Sequence, residues 1–190
     1  FWLREYDVDG FRLDVADGPG PDFWSYFWPA VKAEKSDCYC FGEVVDAPDI
    51  QQQYVGRLDG ILDFHLCDAF RRTFAQRQWS EADFDRFRSR HSQSFPADFI
   101  MPTFVDNHDM DRFLFQSGGD KEALRRAAAI QMSLPNPPVI YYGTEVGITQ
   151  AISGQAGFGL HVNRVPMLWG DEQDTELFAY YKGLIAQRRR

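Results

Sequence analysis

Short apolar runs alternate with amphipathic stretches along the chain, a rhythm that predicts βα units and a parallel sheet. Trp2 to Tyr6 reads as the end of a helix, and Asp9 to Val15 as a first strand. Pro21 and Asp22 open a helix in which Phe23, Phe27 and Val31 recur at a spacing of four, with Pro29 expected to kink or split it. A second strand runs from about Cys38 to Val44, after which Asp46 is placed to cap a short helix with Pro48 in its first turn. Gly60 to Phe64 is a third strand, leading into a helix through Ala69 and Phe70. Ser80 and Asp83 have capping-box spacing ahead of a helix carrying Phe84 and Phe87. A fourth strand spans about Ile100 to Val105, and Asp120 caps a later helix with Leu124 and Ile130. Pro138 to Tyr142 makes a fifth strand, followed by a Gly-rich loop. Asp174 or Thr175 then starts a last helix, whose Leu177, Phe178, Tyr181, Leu184 and Ile185 form one apolar stripe.

These alternating units, with no linker or repeat between them, predict one α/β domain over residues 1–190. A full (β/α)₈ barrel has eight strands and about 250 residues, so the chain is expected to supply roughly five-eighths of one. With 44% hydrophobic residues it can bury a sizeable core. The net charge of -8 argues against a nucleic-acid or anionic-membrane partner, since both need clustered positive charge. The basic run Arg188 to Arg190 follows a helical pattern, where it favours the C-terminal dipole. No apolar stretch approaches membrane-span length. The first residue is Phe and not Met, so a natural N-terminus further upstream, with or without a signal peptide, stays open. The compartment, cytoplasmic or secreted, stays open with it. Cys38, Cys40 and Cys67 are read as small buried apolar side chains. Aromatics reach 16%, which suits a large core and also a carbohydrate site, where rings stack on sugar faces.

Carboxylates close three of the apolar runs. In Gly10-Phe-Arg-Leu-Asp14-Val15, alternation places Phe11, Leu13 and Val15 on one face and Arg12 and Asp14 on the other. A charged pair is costly inside the apolar layers of a barrel but fits the C-terminal mouth of a strand, where barrel active sites lie. A structural ion pair is the alternative. Glu43 ends the second strand after Cys40, Phe41 and Gly42, a setting that should raise a carboxyl's pKa by desolvation and suit a general acid. The fourth strand closes in Phe104-Val-Asp-Asn-His-Asp109, where a polar cluster on an apolar run is hard to explain by folding alone. His108 beside Asp109 could bind metal, yet no ligand spacing such as HExxH accompanies it. Retaining glycosidases need two carboxyl groups about 5–5.5 Å apart. Adjacent strands lie about 4.8 Å apart, so neighbouring strand ends can meet that separation.

The segments Asp9-Gly-Phe-Arg-Leu-Asp14-Val-Ala16, Phe41-Gly-Glu43-Val44 and Phe104-Val-Asp-Asn-His-Asp109 closely resemble three signature regions of the α-amylase family of glycoside hydrolases, in the right order. Pro138-Val-Ile-Tyr-Tyr-Gly-Thr-Glu145 looks like that family's eighth strand, and Arg164 to Trp169 like the loop after it. The resemblance implies a partial TIM (β/α)₈ barrel, roughly strands 4 to 8 with their helices, lacking the N-terminal strands and flanking domains. It implies that Asp14 is the nucleophile, held ionised and oriented by Arg12, and that Glu43 is the acid/base. It further implies that Asp109 grips the hydroxyls of the sugar at the cleaved bond, with His108 donating to the same sugar. The reaction implied is hydrolysis with retention at α-glucosidic bonds of α-glucans or maltooligosaccharides. Calcium is a possible cofactor of the full-length protein on the same ground. Asp17 and Gly18 stand where many α-amylases show Lys and His, which puts specificity for long starch chains in doubt. Two alternatives remain open: a transglycosylase or sucrose- or trehalose-type enzyme with the same mechanism, and a non-catalytic amylase-like scaffold. Standing alone, a chain with two open sheet edges is expected to be poorly soluble or inactive.

Overall fold

The computed structural model describes residues 1–154 and 160–190, so residues 155–159 of the Gly-rich loop lie outside the described residues. The chain divides into two units: Phe1–Phe64 with Arg90–Pro102, and His65–Ser89 with Thr103–Arg190.

In the first unit, helix α1 (Trp2–Glu5) precedes strand β1 (Gly10–Leu13), helix α2 (Pro21–Glu34), strand β2 (Tyr39–Gly42), helix α3 (Pro48–Gln51) and strand β3 (Gly60–Ile61). The strands form a sheet in the order β1-β2-β3, parallel throughout, with Gly10 opposite Tyr39 and Phe41 opposite Gly60. Parallel pairing demands crossovers, and α2 and α3 lie in those connections. Residues 100–102 run beside β3, where the Ile100 N–H donates to the Asp59 carbonyl (2.9 Å) and the Asp63 N–H to the Pro102 carbonyl (3.0 Å). Only glycine fits at Gly60, because a Cβ there would stand 1.6 Å from the Ile100 carbonyl oxygen. Trp24, Val31, Cys38, Cys40, Val44, Tyr54 and Ile61 fill the core of this unit.

In the second unit, helix α4 (Phe64–Phe70) runs on into a π-helical turn over Arg71–Ala75, and is followed by α5 (Glu81–His91), α6 (Phe113–Gln116), α7 (Lys121–Ser133) and α8 (Thr175–Arg188). Phe70, Phe84, Phe113, Leu124, Leu177 and Tyr181 lie in its core. Three of the caps form as the sequence predicts. Ser80 and Asp83 bond each other's backbone N–H, Asp120 accepts from the Ala123 N–H, and Asp174 accepts from the Leu177 N–H. All three cysteines are buried, with Cys38 and Cys40 Sγ 3.9 Å apart. No helix among the described residues is long and apolar enough to cross a membrane.

Four expectations are corrected. The fourth and fifth strands, Ile100 to Val105 and Pro138 to Tyr142, are reduced to one parallel bridge between Thr103 and Pro138. Pro102, Pro137 and Pro138 have no N–H to donate, so a regular ladder cannot propagate through them. Pro29 does not split α2, which runs unbroken to Glu34. Pro29 lies on the exposed face, where the carbonyl it leaves without a helical partner can turn to solvent. Asp46 does not cap α3. The N-cap is Ala47, whose N–H bonds the Asp46 carboxylate, and Pro48 takes the first helical position where its missing N–H costs nothing. Val15 is not on the packed face. The strand stops at Leu13, and Val15 turns outward with φ of 44° and 56% exposure.

Candidate active site

β1 and β2 end side by side, and their ends carry a tight ionic cluster. Arg12 donates from Nη1 to Asp14 Oδ1, and its Nη2 pairs with Glu43 Oε2 at 2.7 Å. One guanidinium therefore holds one oxygen of each carboxylate. Glu43 Oε2 also accepts from the Val15 N–H at 3.2 Å. Among the described residues no hydrogen bond or ion pair is made to Glu43 Oε1 or Asp14 Oδ2. The Asp14 side chain is 70% exposed, while Glu43 is buried.

The chain around the pair is fixed from below. The Glu43 N–H donates to the Leu13 carbonyl and the Ala16 N–H to the Glu43 carbonyl, both at 2.8 Å. Trp24 Nε1 holds the Ala16 carbonyl at 2.7 Å, and Gln51 holds the Val44 carbonyl at 2.9 Å. A Cβ at Gly42 would stand 2.9 Å from Ala16 Cβ, which explains glycine just before Glu43. Val15 at positive φ is unusual for a β-branched residue and costs on the order of 1–3 kcal/mol. The same conformation aims its N–H at Glu43. An ion pair as exposed as Arg12–Asp14 contributes only about 0–1 kcal/mol, so stability is a weak reason for it.

The second unit holds the other candidates. Asp109 Oδ1 accepts from Arg164 Nη2 at 2.6 Å, and His108 Nε2 lies 3.2 Å from Asp109 Oδ2. The His108 and Tyr141 rings are 6.5 Å apart. The Asp109 N–H donates to Asn107 Oδ1 at 2.8 Å, folding the loop back on itself. The two flanking aspartates are structural. Asp106 is buried and accepts from the Phe113 N–H and the Thr144 hydroxyl, and burial pushes its carboxyl above the usual range. Burial also pushes Asp111 up, but bonds from Ser153, Gly154 and Gln150 outweigh it and hold that carboxyl below its ordinary value. A cavity of about 190 Å³ adjoins Asp109, lined also by Arg71, Asp111, Gln116 and Asn163.

The structure thus brings Arg12, Asp14 and Glu43 together in one unit and His108 and Asp109 together in the other. Sequence reasoning missed three contributors: the Val15 N–H, Arg164 and Asn163. A backbone donor leaves no residue-type signal, and Arg164 and Asn163 sit some fifty residues from Asp109 in a stretch without periodicity. A cation at His108 and Asp109 would have to compete with the Arg164 guanidinium already seated on that carboxylate. Calcium takes about six to eight oxygen ligands. Among the described residues, no group of three or more His, Cys, Asp or Glu side chains is placed to hold a metal ion.

A family model described as the α-amylase catalytic domain matches residues 1–175. The chain belongs to the α-amylase family. α-Amylase 2 of Dictyoglomus thermophilum is 36% identical over all of this chain and 34% of that protein's length. A cyclomaltodextrinase of Geobacillus thermopakistaniensis is 34% identical over all of this chain and 31% of its own. The chain therefore spans about a third of the length of the curated relatives it matches. Among solved structures, a cyclomaltodextrinase aligns with a TM-score of 0.87 at 28% identity, covering 99% of this chain and 31% of that one. The α-amylase from Geobacillus thermoleovorans, complexed with acarbose, aligns at 0.83 with 27% identity, covering 99% and 42%. The fold is α/β and corresponds to part of the TIM barrel of α-amylases, as the signature segments imply.

Proposed function

We propose that the protein carrying this chain is a retaining glycoside hydrolase acting on α-glucosidic bonds of α-glucans or maltooligosaccharides. The observation that carries this reading is the hold of Arg12 on one oxygen each of Asp14 and Glu43, with the other oxygen of each left free. Two carboxylates sharing one guanidinium are close neighbours, compatible with the separation of about 5–5.5 Å that retention uses.

Asp14 Oδ2 attacks the anomeric carbon as the glycosidic C–O bond breaks, and Glu43 gives its proton to the leaving oxygen. Arg12 holds and orients Asp14 for attack. Water then gives a proton to Glu43 and its oxygen displaces Asp14 from the anomeric carbon, so two inversions leave the configuration retained. Asp109 grips the sugar hydroxyls, most strongly in the distorted transition state, and His108 donates to the same sugar. Relatives described as cyclomaltodextrinases, together with Asp17 and Gly18 in place of Lys and His, favour short or cyclic maltooligosaccharides over long starch chains.

The test follows the anomeric configuration of the first product by NMR, with the full-length protein and maltooligosaccharides. Initial α-anomer, abolished in Asp14→Asn, is the expected result. Initial β-anomer means inversion and removes Asp14 from the nucleophile's role.

A further inference from the structure

The loop that carries Asp109 has neither strand nor helix to hold it, and its carbonyls are bound from far along the chain. Asn163, almost wholly buried, donates from Nδ2 to the carbonyls of Asn107 (3.2 Å) and Met110 (2.5 Å). Arg164, the next residue, donates from Nε to the His108 carbonyl (2.9 Å) as well as from Nη2 to Asp109 itself. One two-residue step thus binds the backbone on both sides of Asp109 and the carboxylate between. That step is in turn anchored. Arg112 donates from Nε to the Asn163 carbonyl (3.0 Å) and from Nη1 to the Tyr142 carbonyl (2.7 Å). Arg112 is fully buried, with its guanidinium 3.9 Å from the centre of the Tyr141 ring.

We infer that Asn163, anchored by Arg112, is a positioning residue for Asp109, acting through the two carbonyls it binds. The inference rests on the reading of Asp109 as a sugar-gripping carboxylate. If that grip tightens in the transition state, aiming it governs kcat more than KM, and a displacement of about 1 Å can cost about 10²-fold.

Asn163→Asp keeps the volume, removes both N–H donors and turns carboxylate oxygen toward the two carbonyls. It is made in the full-length protein alongside Asp109→Asn and the double variant, and all are assayed on maltooligosaccharides with Tm measured in parallel. In the native background kcat should fall about 10²-fold with KM little changed, and Tm should fall by the same amount in both backgrounds, since the buried bonds are lost in each. In the Asp109→Asn background the same change should cost no more than about two-fold, because no carboxylate remains to be aimed. Unchanged kcat in Asn163→Asp overturns the inference, and so does an equal loss in both backgrounds. Full kcat in Asp109→Asn overturns the reading of Asp109 and the positioning role with it. Should Asn163→Asp not fold, Asn163→Gln, which keeps the amide but shifts it by one methylene, is judged by the same comparison.

Discussion

Asp14 and Glu43 are placed by backbone, Asp109 by side chains. β1 and β2 pair residue by residue from Gly10–Tyr39 to Leu13–Gly42, so the ends that carry the first two carboxylates are set by a parallel ladder. The loop from Asn107 to Asp111 has no such ladder, and Asn163 and Arg164 hold it at its carbonyls. A ladder distributes its hold over many weak bonds, each worth about 1 kcal/mol net. A side-chain clamp concentrates the hold on two residues. The first arrangement should tolerate substitution around it except where only glycine fits, as at Gly42 and Gly60, and the second should be sensitive at positions that never touch substrate.

The largest expected effect is at the ladder's own carboxylates. Asp14→Asn should lower kcat on the order of 10⁴ to 10⁶, the scale of losing one member of a catalytic unit. Its Tm should hardly move, since the side chain is 70% exposed. A pre-steady-state assay with an activated glucoside checks it, and survival of the covalent step would remove Asp14 from that role. Glu43→Gln should cost about 10² to 10⁴ on unactivated substrates and much less on good leaving groups in the bond-breaking step. Equal losses on both kinds of substrate would take the acid role from Glu43. Arg12→Lys comes next. A lysine presents a point charge and cannot bridge two carboxylates as a guanidinium does, so kcat should fall about 10²-fold. A kcat within about two-fold of the native value in that variant would mean that Arg12 does not position the pair.

The same contrast explains what the sequence could reveal. Strand ends announce themselves, because Arg12, Asp14 and Glu43 interrupt apolar runs whose period is fixed. Even there the alternation stops before Val15, whose positive φ ends it, and no residue type marks the turn. Ser80, Asp120 and Asp174 were legible as caps because the bond they make is local. The fourth and fifth strands do not form as ladders. Apolar composition survives at 100–105 and 138–142, but the prolines remove the donors on which a ladder depends. Asn163 and Arg112 were illegible, since their meaning lies in contacts across some fifty residues that no local pattern encodes. His108 and Asp109 were visible as chemistry, and their support was not.

The smallest expected effect concerns how helices begin in the two units. α2 and α3 start on Gly20 and Ala47 without side-chain caps, each with proline in the first turn, whereas α7 and α8 start on Asp120 and Asp174, whose carboxylates accept backbone N–H bonds. The Ala123 N–H, and then Arg77, hold the Asp120 carboxyl below its ordinary value; Lys121, and then the Leu177 N–H, do the same for Asp174. A carboxyl depressed on folding contributes stability that is complete above its unfolded value, near 3.8, and that fades as pH falls through the lower folded one. Asp120→Ala should therefore cost about 1 kcal/mol at neutral pH, or about 2–4 °C in Tm. That cost should stay level between about pH 6 and 9 and shrink below about pH 4. Ala47→Gly, at an N-cap with no side-chain bond to lose, should show no such acid dependence. A pH-independent cost at Asp120 would mean that the lost side chain matters for packing and not for its charge at the helix end.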